Sequence, residues 1–308
     1  RRYARSELSR EIAAVAAGRA RRGEPAVHHR QAGVTARDRI IGTPLAGEVA
    51  RARVRPAIEG WHLPDLPPDF AAHIELEDGS IAGNGLAAFS TGAVSIRVQG
   101  GAQDGVGKGM LGGRVVILKH RNRRGRWVNG SVGKSFAYGA QRGLFVVQGD
   151  ADARCGIRLS GADMILGGHI RAPLRDDLGS IATRANLKGF AFEYMTQGRV
   201  VVLGDPGPWI CSGMTGGVVY VRLQPELGLD EAALRRRIAK GARVHIAPAG
   251  EQGEKDLTEL LSAYHRILLE AHQPDEAAEV MGLMLDCGRH FVAIRPVTRQ
   301  VDPGVTTE

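Results

Sequence analysis

The sequence predicts an all-β fold, a coiled stack of strands or β-helix, with a helical arm before it and a helical cap after it. The first observation is glycine: 42 of the 308 residues are glycine, and 29 of them lie within residues 79–217. The second is a repeat of about 19 residues in the same region, and the third is a short β-branched run after each repeated glycine. Together they predict about seven turns with sharp corners, where glycine adopts positive φ without steric cost.

The first 73 residues are predicted to form a basic arm and a connector. Residues 1–37 contain nine arginines and three glutamates, a net charge of +6. A helix is expected over 7–20, where apolar residues share one face, and a second short helix over 38–52. Prolines in 55–70 indicate an extended connector.

Residues 74–222 are predicted to form the β-helix. Seven glycines mark its expected corners, and their spacings lie between 18 and 21 residues with one exception of 30. These predicted structural corners are Gly92, Gly113, Gly143, Gly161, Gly179, Gly198 and Gly217. The long spacing contains the basic segment 119–126, which is about the excess length, so we interpret that segment as an inserted loop.

Alternation after these glycines predicts inward-facing ladders of side chains. The second residue after six of the corners is apolar, but after Gly161 it is Asp163. Either the register slips by one residue there, which places Met164 and Leu166 inside, or Asp163 is a buried polar group that needs partners. We favour the slip.

Residues 223–308 are predicted to form a helical cap and tail. Leucines and Tyr264 recur at helical spacing over 256–272, and Pro274 begins another helix. A last strand is expected over 290–295. We expect the two helices to close one end of the β-helix, because an open end exposes strand edges.

No catalytic, cofactor-binding or metal-binding residue is predicted in this chain. The triplet Gly133-Lys134-Ser135 lacks the earlier glycine and the following helix of a phosphate loop, and the glycine run 105–109 lacks a βαβ setting. Histidines are scattered without ligand spacing. The aspartates that recur at corners fit turn formation better than sugar cleavage.

Positive charge is concentrated in two places. The chain carries a net charge of +8, and the arm and the segment 119–126 together exceed that total. Such stretches suit an acidic protein surface or nucleic acid, or are simply solvated. The arm has only one aromatic residue among its arginines, Tyr3, which is too few for a base-stacking surface and argues against nucleic acid. The predicted partner-docking residues are Lys119, Arg121, Arg123, Arg124 and Arg126.

Several segments taken together resemble a known family. Residues 105–113 (GVGKGMLGG), 192–204 (FEYMTQGRVVVLG) and 211–221 (CSGMTGGVVYV) are similar to the GXGXG domain at the C-terminus of the glutamate synthase large subunit. Residues 38–48 resemble the segment that enters that domain, and 291–296 resemble its tail.

The resemblance implies a right-handed parallel β-helix with a structural role. In the family, catalysis, FMN and iron–sulfur clusters belong to other domains, so this chain is expected to hold no cofactor. It is expected to act as a non-catalytic subunit of a glutamate synthase or N-methylglutamate synthase type of oxidoreductase. Its expected partners are a glutamine amidotransferase-like subunit and an FMN-binding synthase-like subunit, which would hold the FMN and the iron–sulfur clusters and transfer ammonia or an amine to a 2-oxo acid.

One alternative stays open within this fold. The related β-helix subunits of formylmethanofuran dehydrogenase and of formyltransferase/hydrolase complexes have a similar pattern, although the Glu-Tyr-Met-Thr motif and the helical tail favour the first interpretation. The three cysteines have no CxxC pair and no apolar run reaches 18 residues, so a cytoplasmic location without a membrane span is expected.

Overall fold

The described part of the protein, residues 6–54 and 69–297 of a computed structural model, is built around one ten-stranded sheet. The twelve strands are β1 (Ala26–Ala32), β2 (Ala71–Ala82), β3 (Val94–Ala102), β4 (Leu111–Leu118), β5 (His120–Arg121), β6 (Trp127–Val128), β7 (Arg142–Val147), β8 (Ser160–Leu166), β9 (Gln197–Val202), β10 (Val218–Arg222), β11 (Val244–Pro248) and β12 (Phe291–Pro296). The α-helices are α1 (Glu7–Arg21), α2 (Thr43–Val54), α3 (Ile181–Arg184), α4 (Glu231–Arg237), α5 (Gly250–Glu270), α6 (Pro274–Leu285) and α7 (Cys287–His290).

Sequence-adjacent strands are neighbours in this sheet. The order is β1-β2-β3-β4-β7-β8-β9-β10-β12-β11, and the pairs from β1 to β10 are parallel while β12 pairs antiparallel with β10 and β11. Strands β5 and β6 form a separate hairpin between β4 and β7. The predicted last strand is confirmed as β12.

The predicted all-β β-helix is wrong. The protein is a mixed α/β fold with a ten-stranded, mostly parallel sheet and seven α-helices among the described residues. Residues on the outer face of the central strands are buried beneath helices, for example Val116, Val146 and Ile165. These strands therefore read as continuous apolar runs, which is typical of a parallel sheet covered on both faces. The prediction used only the inward-facing half of each run.

The inner face of the sheet carries the larger core. One ladder of paired residues runs across six strands: Ile96, Val115, Phe145, Met164, Val200 and Val219. Met164 and Leu166 are buried, so the predicted one-residue slip at Asp163 is confirmed. Ile12 of α1 and Leu45 of α2 pack into the same cluster, as does Leu234 of α4.

The C-terminal helices cover the outer face and do not cap an end. Helix α5 confirms the amphipathic helix expected over 256–272, but it begins at Gly250 and crosses the strands. Near its start Asp256 accepts a hydrogen bond from Tyr220 of β10, and near its end the carbonyl of Ile267 accepts one from Arg97 of β3. Helix α6 joins the same outer cluster. These helices therefore do not cover the strand edges at the ends of the sheet.

Six turns of similar shape stack beside the sheet, and we call them the turn stack. In each turn the first, third and fifth residues have positive φ. The triplets are 85/87/89, 105/107/109, 135/137/139, 154/156/158, 190/192/194 and 209/211/213. In the first five turns the N–H groups of the first and fifth residues donate to the following turn, whereas that of the third donates to the preceding segment. This alternation satisfies backbone donors that would otherwise be buried unpaired.

One predicted repeat is not a strand. Residues after Gly179 form helix α3, which follows a 3₁₀ turn at Asp176–Leu178, and residues 169–184 make a loop between β8 and β9. The run after Gly179 resembles a corner and a short strand at this spacing, but Ile181 is its single large apolar residue, so it lacks the alternating apolar side chains that a strand packs in a sheet.

The sheet extends across the predicted segment boundaries. Strand β1 belongs to the predicted arm and pairs with β2. Strands β11 and β12 belong to the predicted cap; β12 pairs with β10, and β11 pairs with β12. The proline-rich connector lies mostly outside the described residues, as do residues 1–5 and 298–308. Among the helices that the structure describes, none has the length and apolarity needed to cross a bilayer.

Candidate functional site

The predicted docking segment forms the hairpin β5–β6, which we call the basic hairpin (residues 119–128). Its tight turn is held by Asn122, whose backbone N–H donates to the carbonyl of Arg126. The Asn122 side-chain Oδ1 accepts from the N–H groups of Arg124 and Arg126 at 3.0 and 3.1 Å. This local network, with Gly125 at φ 70°, explains why a highly charged segment adopts a defined shape.

The structure brings four of the five predicted docking residues together as exposed cations: Arg121, Arg123, Arg124 and Arg126. Arg123 pairs with Asp78 at 2.9 Å. The Arg121 guanidinium lies over the ring of Trp127, 4.7 Å from its centroid, and Trp127 is 60% exposed. Tryptophan and arginine are the residue types most enriched at energetic centres of protein interfaces.

Sequence reasoning missed Trp127. The available signal was a tryptophan directly after a run of arginines, in a loop that provides no core for it. A loop that is merely solvated does not usually carry an exposed tryptophan beside a cation.

Lys119, the fifth predicted residue, is separated from the exposed set. It is half-buried at the base of the hairpin, and burial is the main reason why the pKa of its ammonium is lowered. Its backbone N–H donates to Gln148 Oε1 at 2.8 Å, and its carbonyl accepts from Gln273 Nε2 at 3.4 Å. Lys119 therefore connects the hairpin to the loop before α6.

A groove of about 980 Å³ runs along the outer face of the sheet beside α5. Four acids line it, and all are paired: Asp163 and Glu259 with Arg199, Glu75 with Arg30, and Glu270 with Arg97. Arg114 and Arg266 make no ion pair among the described residues. His28 and His73 stack within it, with ring centroids 4.8 Å apart. The groove thus presents unpaired positive charge.

The predicted corner glycines lie in three different settings. At Gly113, Gly143, Gly161, Gly198 and Gly217, near the starts of β4, β7, β8, β9 and β10, φ is positive and an added Cβ would meet a backbone carbonyl of a neighbouring strand or turn. Gly92 precedes β3 with open space around it, and Gly179 follows the 3₁₀ turn, also with open space.

Two of the three cysteines lie deep in the core. Cys155 and Cys211 are fully buried in the inner core, and burial raises the pKa of the Cys211 thiol to about 12 and that of Cys155 further. Both thiols therefore stay protonated within the inner core. No grouping of three or more His, Cys, Asp or Glu side chains suited to a metal ion occurs within 6–54 and 69–297.

Comparison with known proteins assigns the family. The GXGXG motif family model matches residues 19–297. The chain belongs to the GXGXG family. The family's name describes the run Gly105-Val106-Gly107-Lys108-Gly109, which forms the second turn of the turn stack, with φ values of 69°, 64° and 62° at its glycines.

Curated relatives of this GXGXG chain are glutamate synthases. It is 34% identical over 189 residues to ferredoxin-dependent glutamate synthase 2, chloroplastic, of Arabidopsis thaliana, covering 61% of this chain and 10% of that protein. It is 31% identical over 223 residues to ferredoxin-dependent glutamate synthase of Pyropia yezoensis, covering 72% and 12%. It is 30% identical over 185 residues to glutamate synthase [NADPH] large chain of Bacillus subtilis, covering 60% and 10%. The chain spans about a tenth of the length of these relatives.

Proposed function

We propose that this protein is the non-catalytic structural component of a glutamate synthase-like assembly. The observation that carries the proposal is that a chain matched over residues 19–297 by the GXGXG motif family aligns, over 60–72% of its length, with about a tenth of each glutamate synthase relative. A glutamine amidotransferase-like component and an FMN-binding synthase-like component would supply the reaction. They would also hold the FMN and the iron–sulfur clusters.

The structure supports a scaffold role through its rigidity and its exposed cations. A ten-stranded sheet with cores on both faces is a stiff platform, and the basic hairpin projects from it with four exposed arginines. In this proposal the platform positions the two components so that ammonia or an amine passes from one to the other and reacts with a 2-oxo acid.

Purification from the native organism tests the proposal. A tag on this chain should co-purify, in fixed stoichiometry, a protein with amidotransferase sequence and a yellow protein that releases FMN on denaturation. The isolated complex should consume a 2-oxo acid when supplied with glutamine or a related amine donor and a reductant. Co-purification of formyltransferase or formylmethanofuran dehydrogenase components, or of no stoichiometric partner, contradicts the proposal.

A further inference from the structure

The turn stack places bulky side chains where the backbone favours glycine. Four exposed residues with positive φ are aromatic: Phe89 (φ 55°), Phe190 (φ 56°), Tyr194 (φ 53°) and Trp209 (φ 60°). Positive φ is uncommon outside glycine and is an outlier for a bulky side chain. Strained positions of this kind cluster at functional sites.

The turn itself does not require these aromatic residues. Gly105 occupies the same first position as Phe190 and Trp209, and Gly109 and Gly139 occupy the same fifth position as Tyr194. The first five turns, each of which has a following turn, make the same backbone hydrogen bonds to it whether glycine or a larger residue occupies the position. Glycine would thus satisfy the fold at lower conformational cost.

Burial also gives an incomplete explanation of the rings. The Phe190 and Trp209 rings stack on each other with centroids 4.8 Å apart, and the Tyr194 ring lies against Gly213. Even so, Phe190, Tyr194 and Trp209 remain 39%, 52% and 49% exposed. Water therefore reaches a substantial area of three neighbouring aromatic side chains.

Two exposed arginines continue the same rows. Arg154 precedes Phe190 and Trp209 at the first position of successive turns, and Arg158 precedes Tyr194 at the fifth. The Arg158 guanidinium lies 5.8 Å from the Tyr194 centroid. Neither arginine forms an ion pair within the part of the chain that the structure describes.

These five residues, Arg154, Arg158, Phe190, Tyr194 and Trp209, form a surface that we call the aromatic patch. We infer that the aromatic patch is a docking site for a partner protein whose contact surface is apolar at its centre and acidic at its rim. Phenylalanine, tyrosine, tryptophan and arginine are enriched at interface centres, and the unpaired guanidinium groups provide the charge complementarity.

This inference rests on the proposed function for the partner's identity, but it adds a second surface. The basic hairpin follows β4, whereas the aromatic patch lies on the turns before β8, β9 and β10. The partner assigned here is whichever of the two proposed components binds the full-length chain in isolation.

The test measures the affinity of that purified component for the full-length chain and its variants. Phe190→Gly together with Trp209→Gly should weaken binding at least 30-fold, the usual effect of removing an interface centre. The thermal midpoint of the double variant should change little, because the freedom of glycine at positive φ offsets the loss of the stacked rings. Phe89→Gly is the matched control, since it removes an exposed aromatic residue of the same conformation from the first turn, and it should change affinity less than about 3-fold.

A second double variant distinguishes loss of binding from loss of stability. Arg154→Glu with Arg158→Glu should also weaken binding, with a smaller effect at high salt, and should keep the wild-type thermal midpoint. If both double variants bind the component with wild-type affinity, the docking site is wrong and the proposed function is unaffected. If the wild-type chain binds neither component, the proposed function is contradicted. Binding of a single-stranded oligonucleotide that these variants abolish, with partner affinity unchanged, would assign the aromatic patch to nucleic acid and overturn the inference.

Discussion

Individual residues decide how closely the turns can stack. Gly107 sits at the third position of its turn with φ 64°, and an added Cβ would overlap the ring of Phe145, which is fully buried. Two costs therefore combine at this position: the left-handed backbone, about 1–2 kcal/mol, and a clash with a core ring that cannot move freely.

Gly107→Ala should lower the free energy of unfolding by about 3 kcal/mol, measured by chemical denaturation. Gly125→Ala is the matched control, because φ there is 70° but no atom lies within 4 Å of the added Cβ. That variant should lose only about 1 kcal/mol. Equal losses in the two variants would show that backbone conformation, and not contact with Phe145, dominates.

A buried ion pair joins α4 to the last turns. Arg237 has no exposed surface and binds Asp205 through Nε–Oδ1 at 2.6 Å and Nη2–Oδ2 at 2.9 Å. It also contacts both carboxylate oxygens of Asp176, at 2.9 and 3.0 Å. Hydrogen bonding from Arg237 holds the pKa of Asp176 below its usual value.

Arg237→Ala should destabilise the protein by about 3–5 kcal/mol, because it leaves Asp205 buried without its partner. Arg236→Ala, which removes an exposed neighbour 3.3 Å from Asp176, should cost less than about 1 kcal/mol. Both values come from denaturant titration followed by circular dichroism. If Arg237→Ala lowers the free energy of unfolding as little as Arg236→Ala does, water replaces the guanidinium as the partner of Asp205.

At the scale of elements, one arginine fixes α5 to the sheet. Arg199 of β9 binds Asp163 of β8 at 2.7 Å, and it binds Asp256 and Glu259 of α5 at 3.2 and 2.7 Å. The hydrogen bond from Arg199 lowers the pKa of Glu259. Burial pushes the pKa of Asp256 upward, but hydrogen bonds from Tyr220, Gln252 and Arg199 outweigh it and leave that pKa lowered.

These pKa shifts predict the pH dependence of the helix contact. Carboxyl groups whose pKa is lower in the folded state stabilise it above their unfolded pKa, roughly 4, and that stability is lost as pH falls through the folded value. Arg199→Met should therefore cost about 2 kcal/mol at pH 7, and the difference from wild type should shrink below pH 4.

Thermal unfolding of both proteins from pH 7 to pH 3 measures this effect. Arg175→Met is the control, because its ion pair with Asp177 is exposed and such pairs contribute little. A constant difference between wild type and Arg199→Met at every pH would show that Arg199 acts through packing alone.

The elements themselves were largely predictable, while their arrangement was not. Apolar spacing predicted α5 and α6, and alternation predicted the inner ladder and the slip at Asp163. The outer ladder was present in the same runs, for example Val146 between Phe145 and Val147, but a continuous apolar run does not say what covers its second face. Only the packing of α5 against Val146 and its neighbours resolved the fold as mixed α/β.

The candidate surfaces show the same limit. The arginines of the basic hairpin were evident from composition, whereas the burial of Lys119 depends on Gln148 and Gln273, which are 29 and 154 residues away. The aromatic patch was hidden because its residues come from three separate repeats. Each turn contributes only one or two of these side chains, so no short stretch of the sequence shows the patch. The side chains come together only when the turns stack.

At the scale of the whole molecule, charge is unevenly distributed. The chain carries +8 overall, and the basic hairpin concentrates five cations in residues 119–126, four of them exposed around Trp127. If this hairpin docks on an acidic component of the proposed assembly, association should be faster at low ionic strength, because charge complementarity acts mainly on the encounter rate.

Point substitution is a cleaner test of this docking than deletion, since deletion would disturb the contacts of Lys119 with Gln148 and Gln273. Replacing Arg121, Arg124 and Arg126 by serine and Trp127 by alanine should reduce the association rate about 10-fold at 50 mM salt and lower the affinity further through loss of the tryptophan. Arg235→Ser with Arg236→Ser on α4 provides the control with altered net charge at a distant site. Kinetic binding measurements between 50 and 300 mM salt separate the two contributions: the substituted hairpin should show a flatter salt dependence, and the α4 control should keep the wild-type slope. If both variants lose the same slope, net charge and not the basic hairpin steers the encounter.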